Sequence, residues 1–152
     1  MNTNLILLSD FSDVRFRSAF QQYFAELDIH VSDWDGLFDE MNREGNNLAY
    51  LLPADGGGAA AFLQFQLTGF SNWFLEEDLG FIREFWVDPA RRSRGIGTML
   101  LVAAEQYFVQ RGVFHALLTA DNAVGFYLAR GYRKSPGIRA KNQMEVLSKY
   151  LA

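Results

Sequence analysis

With 152 residues, 49% hydrophobic and 15% aromatic, the chain suits one well-cored domain and is too apolar for disorder. Lys+Arg 14 against Asp+Glu 18 gives a formal net charge of −4, which argues against general affinity for nucleic acid or an anionic membrane. Cys is 0, so disulfides, thiolate metal sites and a cysteine nucleophile are excluded together.

The opening MNTNLILLSD has only Leu5–Leu8 as an apolar run, with no basic segment before it, and no later run reaches membrane-spanning length. The expectation is a soluble, cytoplasmic protein forming a single domain over 1–152. LILLS (Leu5–Ser9) predicts a short buried strand. Phe16, Phe20, Tyr23, Phe24 and Leu27 recur at helical spacing and predict a helix over roughly Ser12–Leu27. In SDWD, Ser32 facing Asp35 has the form of a capping box, and the stripe Trp34, Leu37, Phe38, Met41 runs to a stop at Gly45.

LAYLLP and AAAFLQFQLT flank ADGGG, predicting two strands joined by a glycine turn. Leu63, Phe65 and Leu67 alternate with Gln64, Gln66 and Thr68, as in a strand with one wet face. GFSNWFLEEDLG (Gly69–Gly80) reads as a loop, and FIREFWV (Phe81–Val87) as a strand closed by Asp-Pro. Further on, Met99, Val102, Ala103, Gln106 and Tyr107 mark a helix stopped by Gly112. VFHALLT (Val113–Thr119) is a strand, Asp121 or Asn122 caps a helix ending at Gly131, and NQMEVLSKYL forms the last strand. A hairpin followed by strand, loop, helix, strand and helix, without repeats or linkers, implies an α/β (α+β) class with a mixed sheet.

The stretch RRSRGIGTML, Arg91–Leu100, gathers positive charge where the backbone is bare. It stands between a strand and a helix. The first amides of a helix have no intrahelical partner, and the macrodipole makes that end positive. Glycines admit a bulky anion to those amides, and arginine adds forked hydrogen bonds to phosphate oxygens. The alternative is an ordinary helix start with solvated arginines. No Gly-Lys-Ser/Thr closes the loop, so it is not a P-loop, and Leu100 stands where a dinucleotide fingerprint needs its third glycine.

Arg92-Ser93-Arg94-Gly95-Ile96-Gly97 resembles the Arg-x-x-Gly-x-Gly pyrophosphate loop of the GNAT superfamily of N-acetyltransferases. FWVDPARRSRGIGTMLL is similar to that family's strand–loop–helix pattern, and VGFYLARGY to its downstream FY-x-x-x-G-[FY] signature. The resemblance runs well from Phe81 to Tyr132 and is loose before Leu48. It implies a mixed, mainly antiparallel central sheet with helices on both faces, splayed between the strands 81–87 and 113–119. It also implies acetyl-CoA as cosubstrate, without a metal, and a small-molecule or peptide amine as acceptor, with no nucleic acid or membrane partner. A homodimer is among the states common in the family.

Residue by residue, the resemblance gives the pyrophosphate to the amides of Arg92, Ser93, Arg94, Gly95, Ile96 and Gly97, with Thr98 on the first helical turn. The strand around Phe85, Trp86 and Val87 would carry the pantetheine arm, chiefly through the backbone of Phe85 and Val87. Tyr127 matches a tyrosine placed to protonate the leaving thiolate; a phenol with an ordinary pKa near 10 suits that task. The alternative is a core aromatic. Where the family often has asparagine seven residues before that tyrosine, this chain has Ala120, and Asn122 is either a cofactor contact or a helix cap.

Glu84 is the candidate base, sharing a strand face with Ile82 and Trp86 that favours a raised pKa; the alternative is an ion pair, or ordered water acting as base. Without cysteine, direct attack with both reactants bound is the natural route. A non-catalytic acyl-CoA-binding or sensing protein of the same fold is the rival. His115 on an apolar strand and His30 in an acidic loop read as structural, and no metal-ligand spacing or nucleophile elbow is present. Glu76, Glu77 and Asp78 read as a solvated turn or the border of a cationic acceptor's cleft. Phe70, Trp73 and Phe74 line that cleft or form a lid packed on the core.

Overall fold

The computed structural model describes residues 4–151. Its elements are β1 (Ile6–Leu8), α1 (Val14–Glu26), α2 (Trp34–Glu44), β2 (Asn47–Pro53), β3 (Ala59–Ser71), β4 (Glu76–Val87), a single 3-10 turn at Pro89–Arg91, α3 (Ile96–Gln110), β5 (His115–Ala120), α4 (Val124–Leu128), β6 (Arg133–Lys134) and β7 (Glu145–Tyr150). The strands form one seven-stranded sheet in the order β1-β2-β3-β4-β5-β7-β6. It is mixed and mostly antiparallel, as expected. β4 and β5 run parallel, and α3 lies in the long connection that a parallel pair requires. Their ladder is short. Gly80 pairs with Ala116 and Phe81 with Leu117, and β4 continues past these pairs as Ile82–Val87, the stretch where the splay was expected.

The chain divides into two compact units, one running up to Phe65 and adding Glu84–Ala104, the other comprising Gln66–Arg83 and Glu105–Ala152. In the first, Asp13 caps α1, its Oδ1 accepting from the amides of Arg15 at 2.9 Å and Phe16 at 3.3 Å. Phe16 is fully buried, with ring centroids 4.9 Å from Phe11 and 5.0 Å from Phe62. Phe20, Phe38 and Trp86 join this aromatic core, with Leu51 and Met41 packed in the same cluster, each fully buried Phe contributing about 1.5–3 kcal/mol. In the second unit, a Cβ on Gly80 would lie 2.5 Å from the Phe108 ring, so α3 and β4 meet at a backbone without a side chain.

Four expectations need correction. Asp33, not Ser32, caps α2, its Oδ1 accepting from the Gly36 amide at 2.9 Å; the aspartate one residue nearer the helix makes the shorter reach. Gln64 is fully buried, not wet: both residue sets of β3 are covered there, and its Nε2 donates to Asn47 Oδ1 at 3.4 Å. Gly69–Gly80 is no loop. β3 and β4 extend through it and turn at Asn72, whose Oδ1 accepts from the amides of Phe74 and Leu75. Finally, the N-cap of α4 is Ala123, with no side-chain cap, so neither Asp121 nor Asn122 caps it, and the short strand β6 was missed.

Candidate active site

The arginine–glycine loop belongs to the first unit, between the end of β4 and the start of α3. Asp88 opens it: its amide donates to Ala60 O at 2.8 Å, and its carboxylate accepts from the Ala90 amide and from Arg91. Two of the three arginines are then spoken for. Arg91 Nη1 lies 3.2 Å from Asp88 Oδ2, while Arg92 donates from Nε to the Val87 carbonyl at 2.9 Å and from Nη2 to Glu26 Oε1 at 2.7 Å. Arg94 is exposed and forms no ion pair among the described residues. Only this third guanidinium is left to meet an anion.

The backbone fits the same reading. Ser93 has φ 66° and Gly95 φ 81°, so the chain turns twice through the left-handed region and exposes its amides. Among the described residues, the amides of Ser93, Arg94, Gly95, Ile96 and Gly97 donate to no protein acceptor, while Met99 N donates to Gly95 O at 3.0 Å. A Cβ built on Gly95 has nothing within 4 Å. Unpaired donors, one free arginine and open space at a helix N-terminus are the chemistry of a phosphate cradle.

On β4, Trp86 is 2% exposed, its Nε1 donating to Glu26 Oε2 at 2.8 Å and its ring 6.2 Å from Phe62. Its side chain is core. Phe85 and Val87 are half-buried, and the Val87 carbonyl receives Arg92. Glu84 is half-buried in the alternation that buries Ile82 and Trp86. Thr98 lies in the first turn of α3. Sequence reasoning missed Glu26. It ends α1 and holds both Trp86 and Arg92, but an exposed glutamate after a helix stripe carries no signal of its partners.

In the second unit, Tyr127 is buried on α4, its ring 5.2 Å from Phe126 and 5.8 Å from Tyr132. Asn122 is exposed before that helix. Tyr132, fully buried, donates its hydroxyl to Glu105 Oε2 at 2.8 Å, and Lys149 Nζ approaches Glu105 Oε1 at 3.2 Å. Burial, then the neighbouring Glu105 carboxylate, pushes the Tyr132 phenol far above its usual range, so this tyrosine stays protonated and structural. His115 is structural as expected, its Nδ1 3.2 Å from Glu77 Oε2 and its ring stacked on Tyr150 at 4.2 Å. Glu77 is thereby a side-chain partner of His115, not a free turn acid. Trp73 and Phe74 stand 97% and 88% exposed at the hairpin tip and are not packed on the core. Among the described residues no cluster of His, Cys, Asp or Glu could hold a metal.

The same fold recurs in solved structures. PaiA N-acetyltransferase from Thermoplasma acidophilum, solved with coenzyme A, aligns with a TM-score of 0.64 and 16% identity over 97% of this chain and 99% of that one. An acetyltransferase of the GNAT family from Staphylococcus aureus MU50 aligns at 0.68 and 15% identity, covering 97% and 99%. Arabidopsis thaliana NAA60, solved with a bisubstrate analogue, aligns at 0.69 and 14%, covering 97% and 98%. No curated protein matches the chain. Residues 11–132 match the family model of the acetyltransferase (GNAT) family, a span that holds both motifs and most of the fold, and the chain belongs to that family.

Proposed function

We propose that this protein is an acetyl-CoA-dependent N-acetyltransferase, carrying an acetyl group to a primary amine of a small molecule or peptide in a complex holding both reactants. The observation that carries the reading is the run of unpaired amides from Ser93 to Gly97, beside the unpaired Arg94. These groups match a diphosphate in charge and donor number, which is why the loop suits coenzyme A. Acetyl-CoA, when bound, supplies the acyl group as a thioester.

The remaining work falls to the chain. The loop amides and Arg94 hold the phosphates, and the β4 backbone at Phe85 and Val87 orients the pantetheine arm. Glu84 takes a proton from the acceptor ammonium, and Tyr127 returns one to the departing sulfur. Positioning of the two reactants supplies most of the acceleration. The assignments to Glu84, Tyr127, Asn122 and Thr98 rest on the family resemblance. We place the protein in the cytoplasm as a single functional domain; among the described residues no helix is long and apolar enough to cross a membrane.

The test is acetyl-CoA turnover, read by thiol release, across polyamines, aminoglycosides, amino acids and peptide N-termini. Amine-dependent release supports the reading. Measurable affinity for CoA with no release for any amine favours the acyl-CoA-binding protein instead.

A further inference from the structure

Two surfaces of the second unit take part neither in the core nor in the anion loop. The first is the tip of the β3–β4 hairpin. Phe70, Trp73, Phe74 and Leu75 are 53%, 97%, 88% and 67% exposed, four large apolar side chains within six residues. An apolar cluster of this kind marks a contact surface. The backbone holds it in shape. Asn72 Oδ1 accepts from the amides of Phe74 and Leu75, the Asn72 amide donates to Leu75 O at 2.9 Å, and Gly69 lets the arms close, since a Cβ there would lie 2.8 Å from Glu77 O. Glu77 reaches His115 Nδ1 at 3.2 Å, which fastens the arm to β5. Beside the apolar tip stand Glu76 and Asp78, exposed and without a cationic partner among the described residues.

The second surface carries the opposite charge. Residues 130–144 hold five cations, Arg130, Arg133, Lys134, Arg139 and Lys141, and no acid, in a chain where acids outnumber cations 18 to 14. Lys134 meets Glu145 at 3.4 Å, but Arg133, Arg139 and Lys141 are exposed with no acidic partner among the described residues. Ile138 and Met144 stand exposed in the same segment. One copy cannot join the two surfaces. The β5–β7 ladder runs from His115↔Tyr150 to Ala120↔Glu145, about 17 Å at 3.4 Å per residue. The tip lies beyond its His115 end, because β4 meets β5 at Gly80↔Ala116 and extends from there back to Glu76. Residues 135–144 lead into β7 at Glu145, the Ala120 end. The acidic, aromatic tip and the basic segment thus sit at opposite ends of one sheet.

We propose that the hairpin tip docks on a second copy of this chain: Trp73 and Phe74 seat against Ile138 and Met144, and Glu76 and Asp78 meet Arg139 and Lys141. In a two-fold pair each copy gives its tip and receives the other's, so one contact is made twice. Trp73 is the anchor, being large, rigid and almost wholly free to be covered. Charge selects the occupant. The tip acids repel an anionic membrane and repel a second tip, whereas the basic segment attracts them. The pairing does not depend on acetyl transfer.

Sedimentation velocity on the full chain across a concentration series tests it, with three variants. Wild type is expected to reach the mass of a dimer, with a dissociation constant that rises with added salt. Trp73→Ser is expected to weaken the dimer about tenfold or more, and its exposed position leaves the fold intact, which the melting temperature checks. The charge reversals are Glu76→Lys with Asp78→Lys in one variant, and Arg139→Glu with Lys141→Glu in the other. Each is expected to be monomeric alone, and the two mixed in equal amounts are expected to form a one-to-one dimer, because the reversed tip then faces a reversed segment while the second contact stays native. A wild-type protein that stays monomeric, a dimer that Trp73→Ser and both reversals leave unchanged, or reversed variants that do not pair when mixed would overturn the proposal. Monomeric protein that floats with phosphatidylcholine vesicles through Trp73 would assign the tip to lipid and overturn it as well.

Discussion

Trp86 and Arg92 share one carboxylate: Glu26 accepts the indole N–H on Oε2 at 2.8 Å and the guanidinium on Oε1 at 2.7 Å. The end of α1 is thus pinned both to the core side of β4 and to Arg92, the second arginine of the candidate anion loop. Because Trp86 is almost fully buried, Glu26→Ala leaves its N–H stranded and should cost about 1–3 kcal/mol. Glu26→Gln retains an acceptor and should cost less. Urea denaturation midpoints check the order of the two variants.

The three arginines have unequal duties, so their removal should give unequal effects. Arg94→Ala should raise the KM for acetyl-CoA about tenfold, the value of a lost charge-assisted hydrogen bond, with stability unchanged. Arg91→Ala should leave that KM within about twofold, because the Arg91 guanidinium is already engaged by Asp88 and is not left to meet the anion. Steady-state kinetics at fixed ionic strength compares them. Equal effects would mean that the loop acts as a diffuse positive patch.

Gly97→Asp sets an anion on the first turn of α3, beside the free amides. The KM for acetyl-CoA should rise about tenfold or more through like-charge repulsion, with the melting temperature as a check on folding. An unchanged KM would remove this loop from the site.

Tyr127→Phe should lower kcat about 10–100-fold while leaving KM nearly constant, as expected for a group that acts in the transition state. Glu84→Gln should flatten the acid limb of the pH–rate profile. A normal kcat would return Tyr127 to the packing it makes with Phe126 and Tyr132.

Asp13 ties stability to pH. The hydrogen bond from the Arg15 side chain, and those from the Phe16 and Arg15 amides, hold its carboxyl below the ordinary 3.8. A carboxyl depressed in the folded state stabilises fully above its unfolded pKa, and that stabilisation is lost as pH falls through the lower folded value. Asp13→Ala should cost about 0.5–2 kcal/mol at neutral pH and progressively less below about pH 4. Denaturation series at pH 7 and pH 3 measure the difference.

The fold was legible where side chains repeat with one period and both flanks are punctuated. The Phe16–Phe20–Leu27 stripe and the glycine turn at Gly56–Gly58 were readable for that reason. Gly69–Gly80 was not, because its glycines and acids have the composition of a loop, while Asn72 alone makes the turn and the flanking strands run on through ladder bonds. Gln64 misled the reading in the same way: alternation predicts a wet face, but a strand covered on both sides buries its polar residues too. At the site, RRSRGIG marked the candidate anion loop, since glycine and arginine signal backbone exposure and charge locally. Which arginine remains free depends on Glu26 and Asp88. Glu26 lies 66 residues from Arg92 in the chain, a pairing that no local pattern encodes.

The most direct test is an amide-resolved NMR titration with coenzyme A, using pantetheine, which lacks the diphosphate, as the comparison. Coenzyme A should shift the signals of Ser93, Arg94, Gly95, Ile96 and Gly97 strongly, and pantetheine should leave them in place. Saturating coenzyme A that leaves these five amides unmoved, or pantetheine that moves them equally, would contradict a diphosphate cradle at this loop.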